Sequence, residues 1–209
     1  MVILAHRGYW DSNITKNSIL SFEKALNKGY GIETDIRDSD GDLVISHNIP
    51  TGNESNLEEL LHYYSSNDYN SMLALNVKSD GLSEDLSLLI KKYGIENYFV
   101  FDMSIPDTIP YLRKDINVCT RHSDIETSPL LYEKSFGVWL DMFFGDWVIE
   151  STINYHIESG KGVCIVSPEL HNRNYHNFWK KLKAMNLIGE IMMCTDYPDK
   201  AEKFFNEQN

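Results

Sequence analysis

Seven residues in the first 80 or so positions carry groups that belong to one kind of chemistry. His6-Arg7-Gly8 directly follows the apolar run Val2 to Ala5, while Glu33 and Asp35 stand two residues apart between the apolar Ile32 and Ile36. A period of two places both carboxylates on one face of a strand, about 7 Å apart along it. Asn76 and Lys78 repeat that spacing at the end of a third apolar run. Two carboxylates and an amide oxygen are hard donors, suited to Mg²⁺ or Ca²⁺ and unsuited to zinc. Arg7 offers a planar fork of donors that matches a phosphate edge, and Lys78 a compact positive charge where oxygen charge develops. His6 and His47, ionising near neutral pH, could act as general base and general acid on opposite sides of a phosphate. Together these groups suit metal-assisted cleavage of a phosphodiester. Singly, each has a plainer reading, because an acidic pair in a loop is usually solvated and a histidine at a strand end usually makes a structural hydrogen bond. Their joint meaning depends on a fold that brings them to one place.

Eight apolar stretches of strand length recur at residues 2–5, 31–36, 72–77, 98–101, 116–119, 137–140, 162–166 and 190–194. Helical patterns lie between them. Leu86, Leu89, Ile90 and Tyr93 share one face, opened by Ser83 and closed by Gly94. Leu57, Leu60, Leu61 and Tyr64 share another, headed by Asn56 and Glu59 in capping-box spacing. Further helices fit 18–28, 106–114, 147–159, 175–186 and 198–205, with a less regular pattern over 127–134. A ninth extended run, 43–47, follows the second strand after only six residues that include the turn signal Asp40-Gly41. A parallel crossover needs a dozen or more residues, so this run folds back as a hairpin arm. The other eight strands alternate with helices, which predicts an α/β chain folded as a compact (β/α)8 TIM barrel, one domain over 1–209. An open doubly wound sheet is the alternative, weakened because no Gly-x-Gly-x-x-Gly follows any strand. In a barrel, chemistry belongs at the C-terminal ends of the strands, where His6, Glu33, Asp35, Asn76 and Lys78 fall.

Composition narrows the class of partner. The 209 residues include 31 acidic and 19 basic ones, a net charge of −12, which disfavours nucleic acid or an anionic bilayer surface. A hydrophobic share of 42% with only 12 Gly and 6 Pro is globular composition. The first apolar run is too short for a signal peptide and no later run approaches a membrane span, so a cytoplasmic chain is expected. Cys119, Cys164 and Cys194 are far apart in apolar stretches, as reduced core residues would be.

The chain resembles the glycerophosphodiester phosphodiesterases and, more broadly, the phospholipase-C-like phosphodiesterase barrels. The matching residues are His6-Arg7-Gly8, Asn17-Ser18 with Phe22, Ala25 and Gly29, then Glu33-Thr34-Asp35, Asp40-Gly41 with Val44 and His47, Lys78, and Thr195-Asp196-Tyr197-Pro198-Asp199. They are dense over 3–78 and return at 190–205. The resemblance implies a divalent metal, Mg²⁺ or Ca²⁺, bound by Glu33 and Asp35, with His6 and His47 as acid/base pair and Arg7 on the phosphate of a small phosphodiester. It also implies a third ligand two residues before Lys78, where the family usually carries Glu and this chain has Asn76. Lys16 likewise replaces an acidic residue. The segment after His47 is short, 48–71, implying an open substrate site. Glu169 and His171, following the seventh strand of the barrel, are candidates to face the leaving alcohol. A barrel that binds a phosphorylated ligand without cleaving it, and a lyase releasing a cyclic phosphate, stay open beside hydrolysis.

Overall fold

The computed structural model describes residues 1–187 and 189–207. The apolar runs form β1 (Val2–His6), β2 (Gly31–Ser39), β3 (Asp42–Ile45), β4 (Leu73–Val77), β5 (Tyr98–Phe101), β6 (Cys119–Ser123), β7 (Gly137–Asp141), β8 (Gly162–Val166) and β9 (Met192–Thr195). Around them run α1 (Ile19–Asn27), α2 (Leu57–Ser66), α3 (Ser83–Tyr93), α4 (Ile105–Arg113), α5 (Glu150–Glu158), α6 (His176–Ala184) and α7 (Pro198–Asn206). The parallel strands pair in the order β5-β4-β2-β1-β9-β8-β7-β6, with β3 antiparallel on β2 as a hairpin arm. The circle nearly closes between β5 and β6 through a bridge of Val100 with Val118, where the Val100 amide donates to Asn117 at 2.8 Å. This is a TIM barrel of eight parallel strands with its C-terminal rim on one side.

Alternation along each strand divides the core into two shells. Leu4, Ala74, Phe99, Phe101, Cys119, Trp139, Cys164, Val166, Met192 and Cys194 fill the barrel interior. Residues one position away pack outward, Ala5, Ile32, Leu73, Leu75 and Val100 against α1 to α4, and Val138, Ile165 and Met193 against α5 to α7. All three cysteines are buried free thiols in the inner shell, pushed well up by burial. Toward the rim the inner positions turn polar, and there Glu33, Asp35, Asn76 and Asp141 are buried.

Three expectations need correction. The fifth barrel strand, β6, is Cys119–Ser123 rather than 116–119, because it carries polar residues, Arg121 among them, that line the mouth. The helical pattern over 127–134 gives only a 3-10 turn, Tyr132–Lys134; Pro129 cannot donate a backbone hydrogen bond, and the Leu130 carbonyl accepts from the Thr120 hydroxyl. One barrel unit thus lacks its α-helix. Asn56 caps α2 through the Glu58 amide at 2.7 Å, with no returning bond from Glu59 among the described residues.

Candidate active site

Backbone geometry at the end of β1 aims the first basic groups. Arg7 is left-handed, φ 58°, and the following Gly8 is at φ 83°, where a Cβ would collide with Ser21 at the start of α1. The Arg7 amide donates to the Glu33 carbonyl at 2.8 Å and its carbonyl accepts from the Asn17 amide at 2.9 Å, so β2 and the β1–α1 loop fix the turn. Arg7 Nε then lies 3.0 Å from Asp35 Oδ2, which also accepts from Asn17 Nδ2 at 2.9 Å.

Glu33, Asp35 and Asn76 share the inner face of neighbouring strands, in register as Glu33 with Ala74 and Asp35 with Asn76. Asn76 Nδ2 donates to Glu33 Oε1 at 3.2 Å. Lys78 Nζ lies 3.6 Å from Asp35 Oδ1 and 3.2 Å from Asp102 Oδ2, while Arg121 pairs with the other oxygen of Asp102. Asp35 therefore has two cationic neighbours. Glu33 has His6 Nε2 at 3.9 Å, and burial pushes its carboxyl above the usual range despite that imidazole and the Lys78 charge. Burial likewise lowers the Lys78 ammonium, against the opposing charges of Asp35 and Glu33.

The donor set fits a divalent cation. Among the described residues, Oδ1 of Asp35 and Oδ1 of Asn76 are buried without a hydrogen-bond partner, beside a Glu33 carboxylate 2% exposed. Unpaired buried oxygens are uncommon, and three hard oxygen ligands on one face suit Mg²⁺ or Ca²⁺. Among the described residues no three carboxylate, imidazole or thiol side chains are grouped to hold a metal.

His6 Nδ1 is 2.6 Å from Asp196 Oδ1, at the end of β9. An ionised carboxylate only accepts, so Nδ1 carries the proton and Nε2 offers its lone pair to the cleft. Burial raises Asp196, but the hydrogen bond and charge of His6, with Lys16 at 3.4 Å, outweigh it and hold the carboxyl below its ordinary range. Lys16 thus braces Asp196. His47 lines the same cleft but is exposed, its ring bonded to the Asn48 side chain at 3.1 Å.

The cleft holds about 330 Å³ and brings together His6, Arg7, Glu33, His47, Asn76 and Lys78. A second, more open cleft shares Arg7 and His47 and runs along the segment after β3. His171 also faces the first cleft, held by Asp141 at 2.5 Å. Glu169 does not line it: Ser167, Thr195 and the Asp196 amide occupy its oxygens, so it braces the β8 and β9 ends. Asp102, Arg121, Asp141 and Asp196 are site residues to which the sequence reading gave no role. Their position at strand ends was the available signal, and their pairings cross strands that only the barrel order makes neighbours.

No protein-family profile matches the chain, and no curated protein matches it in sequence. Solved structures do match. A candidate glycerophosphodiester phosphodiesterase from Galdieria sulphuraria superposes with TM-score 0.79 at 20% identity, covering 99% of this chain and 98% of that one. A glycerophosphodiester phosphodiesterase from Parabacteroides distasonis gives 0.70 at 18%, covering 98% and 96%. A Ca²⁺-dependent phosphatidylinositol-specific phospholipase C from Streptomyces antibioticus gives 0.64 at 8%, covering 98% and 96%. The chain has the barrel fold of glycerophosphodiester phosphodiesterases from end to end.

Proposed function

We propose that this barrel is a metal-dependent phosphodiesterase that hydrolyses a glycerophosphodiester or a related small phosphodiester. The observation that carries the reading is one cleft shared by Glu33 and Asn76, by the Asp196-oriented His6, and by Arg7 and Lys78, with Asp35 buried directly behind those two cations. The fold likeness to phosphodiesterases supports it.

Glu33, Asp35 and Asn76 would hold the divalent cation, which when bound supplies positive charge beside a phosphoryl oxygen. Arg7 and Lys78 bind and orient the anionic diester; the net charge of −12 gives no long-range attraction, so capture is local. His6 Nε2 takes the proton of the attacking hydroxyl or water, and Asp196 stabilises the resulting imidazolium. His47, reaching the cleft from its solvent side, gives a proton to the departing alcohol.

Incubation with glycerophosphocholine and a nitrophenyl phosphodiester, with Mg²⁺, Ca²⁺ or chelator, tests the reading. Turnover that chelator abolishes is expected; an absence of metal-dependent turnover on every diester tried would overturn it. Asn76 favours a second reading, a phospho-ligand-binding barrel that does not cleave. Calorimetric binding without product would select it. Phosphorus NMR of the product separates hydrolysis from release of a cyclic phosphate.

A further inference from the structure

Across the mouth from Glu33 and Asp35, the wall carries a paired Asp141 and His171 that the proposed cleavage does not use. In the strand order β7 lies halfway round the barrel from β2, so Asp141 stands opposite Glu33 and Asp35. Asp141 is 6% exposed, and its Oδ1 accepts both the Met142 amide at 2.9 Å and His171 Nε2 at 2.5 Å. Because the carboxylate accepts only, His171 Nε2 carries the proton. Nδ1 makes no hydrogen bond among the described residues and is left as an acceptor when the ring is neutral or a donor when it is charged. Beneath lies an apolar floor, the Phe101 and Trp139 rings stacked with centroids 4.0 Å apart. Phe143 packs its ring 4.7 Å from the His171 ring and fixes the imidazole from the side.

We infer that this wall is the subsite for one ester arm of the substrate, and that it selects a hydroxylated ring, a cyclic polyol or sugar, over a quaternary ammonium arm. This rests on the phosphodiesterase reading for the identity of the ligand as a diester. A hydroxyl can donate to or accept from His171 Nδ1, whichever charge the ring carries, whereas a trimethylammonium group offers neither a donor nor an acceptor. Of the aromatic rings that line the cleft, Phe143 already has the Arg121 guanidinium 5.8 Å from its centroid, a charge that disfavours a second cation there, and Phe101 and Trp139 turn a face each to one another. The C–H face of a ring would lie on the apolar floor while its hydroxyls meet His171. A cleft of about 330 Å³ is at the small end of ligand sites, roughly 300–1,000 Å³, and admits a headgroup-sized arm rather than an acyl chain.

The test compares glycerophosphoinositol, as a cyclic-polyol probe, with glycerophosphocholine on wild-type protein, His171→Gln and Asp141→Asn, with folding checked by thermal melts. The wild type is expected to prefer the inositol diester in kcat/KM by roughly tenfold or more, the range set by one or two hydrogen bonds. Both variants should move that ratio toward unity, chiefly through KM. Preference for the choline diester, or equal losses on both diesters through kcat, would overturn the subsite. Calorimetry with myo-inositol 1-phosphate and phosphocholine reads the same selectivity without turnover: tighter inositol phosphate binding that His171→Gln weakens supports the subsite even if no diester is cleaved. Equal binding of the two contradicts it.

Discussion

Nδ1 of His6 and Oδ1 of Asp196 are 2.6 Å apart although 190 positions separate them in the chain. The contact joins the rim ends of β1 and β9, which pair in parallel, and it decides which imidazole nitrogen faces the cleft. The orientation of the proposed base is thus set by barrel closure rather than by local sequence.

Replacing that carboxylate tests the assignment. Asp196→Asn should lower kcat roughly 10²- to 10⁴-fold with KM changed far less, because an amide can turn its N–H₂ toward His6 and favour the wrong tautomer. Steady-state kinetics on a nitrophenyl diester checks it. A loss confined to KM would remove Asp196 from the role of orienting the base.

Asn76 sets the charge of the oxygen cluster. In Asn76→Glu two carboxylates would share a buried space where Asn76 now donates to Glu33. The metal-free protein should therefore melt lower, while added Mg²⁺ or Ca²⁺ raises the melting temperature by more than it does in the wild type. Calorimetry should show metal affinity stronger by roughly tenfold or more, since ligand charge count tunes such sites. An unchanged affinity would place the cation elsewhere.

Away from the cleft, His156 is fully buried, its ring bonded to Tyr132 Oη at 2.9 Å and to His122 at 3.0 Å. Burial and the neighbouring imidazole hold it down at about 4, against 6.5 when unperturbed. Between these values the unfolded chain binds a proton that the folded chain excludes. Stability should fall as pH falls from 6.5 to 4, by about 3 kcal/mol for this group when complete. Urea unfolding across that window reads it, and His156→Gln should flatten the slope relative to wild type. Parallel slopes in the two proteins would contradict the assignment.

Much of this architecture was legible where local pattern and tertiary role coincide. Glu33 and Asp35 kept strand spacing, and the short Asp40-Gly41 connection allowed only a hairpin. Leu57, Leu60, Leu61 and Tyr64 all face the core, as their period requires. Pattern failed where the mouth of the barrel puts polar residues on an inner face. Arg121, facing the mouth, made the strand expected at 116–119 end too early, and Pro129 interrupts what otherwise looked helical. The anchoring partners were illegible for a different reason. Lys78 to Asp102, Arg121 to Asp102 and His171 to Asp141 are contacts between separate barrel units, fixed by strand order and rim height. Glu169 carried the right type and position for a substrate contact, yet the hydroxyls of Ser167 and Thr195 take it as a brace.

Anomalous diffraction from crystals soaked in Mn²⁺ addresses the convergence of these groups most directly. A single strong peak in contact with side-chain oxygens of Glu33, Asp35 and Asn76, within the cleft lined by His6 and Lys78, is the expected result. A peak bound by other residues, or none at saturating Mn²⁺, would contradict the site.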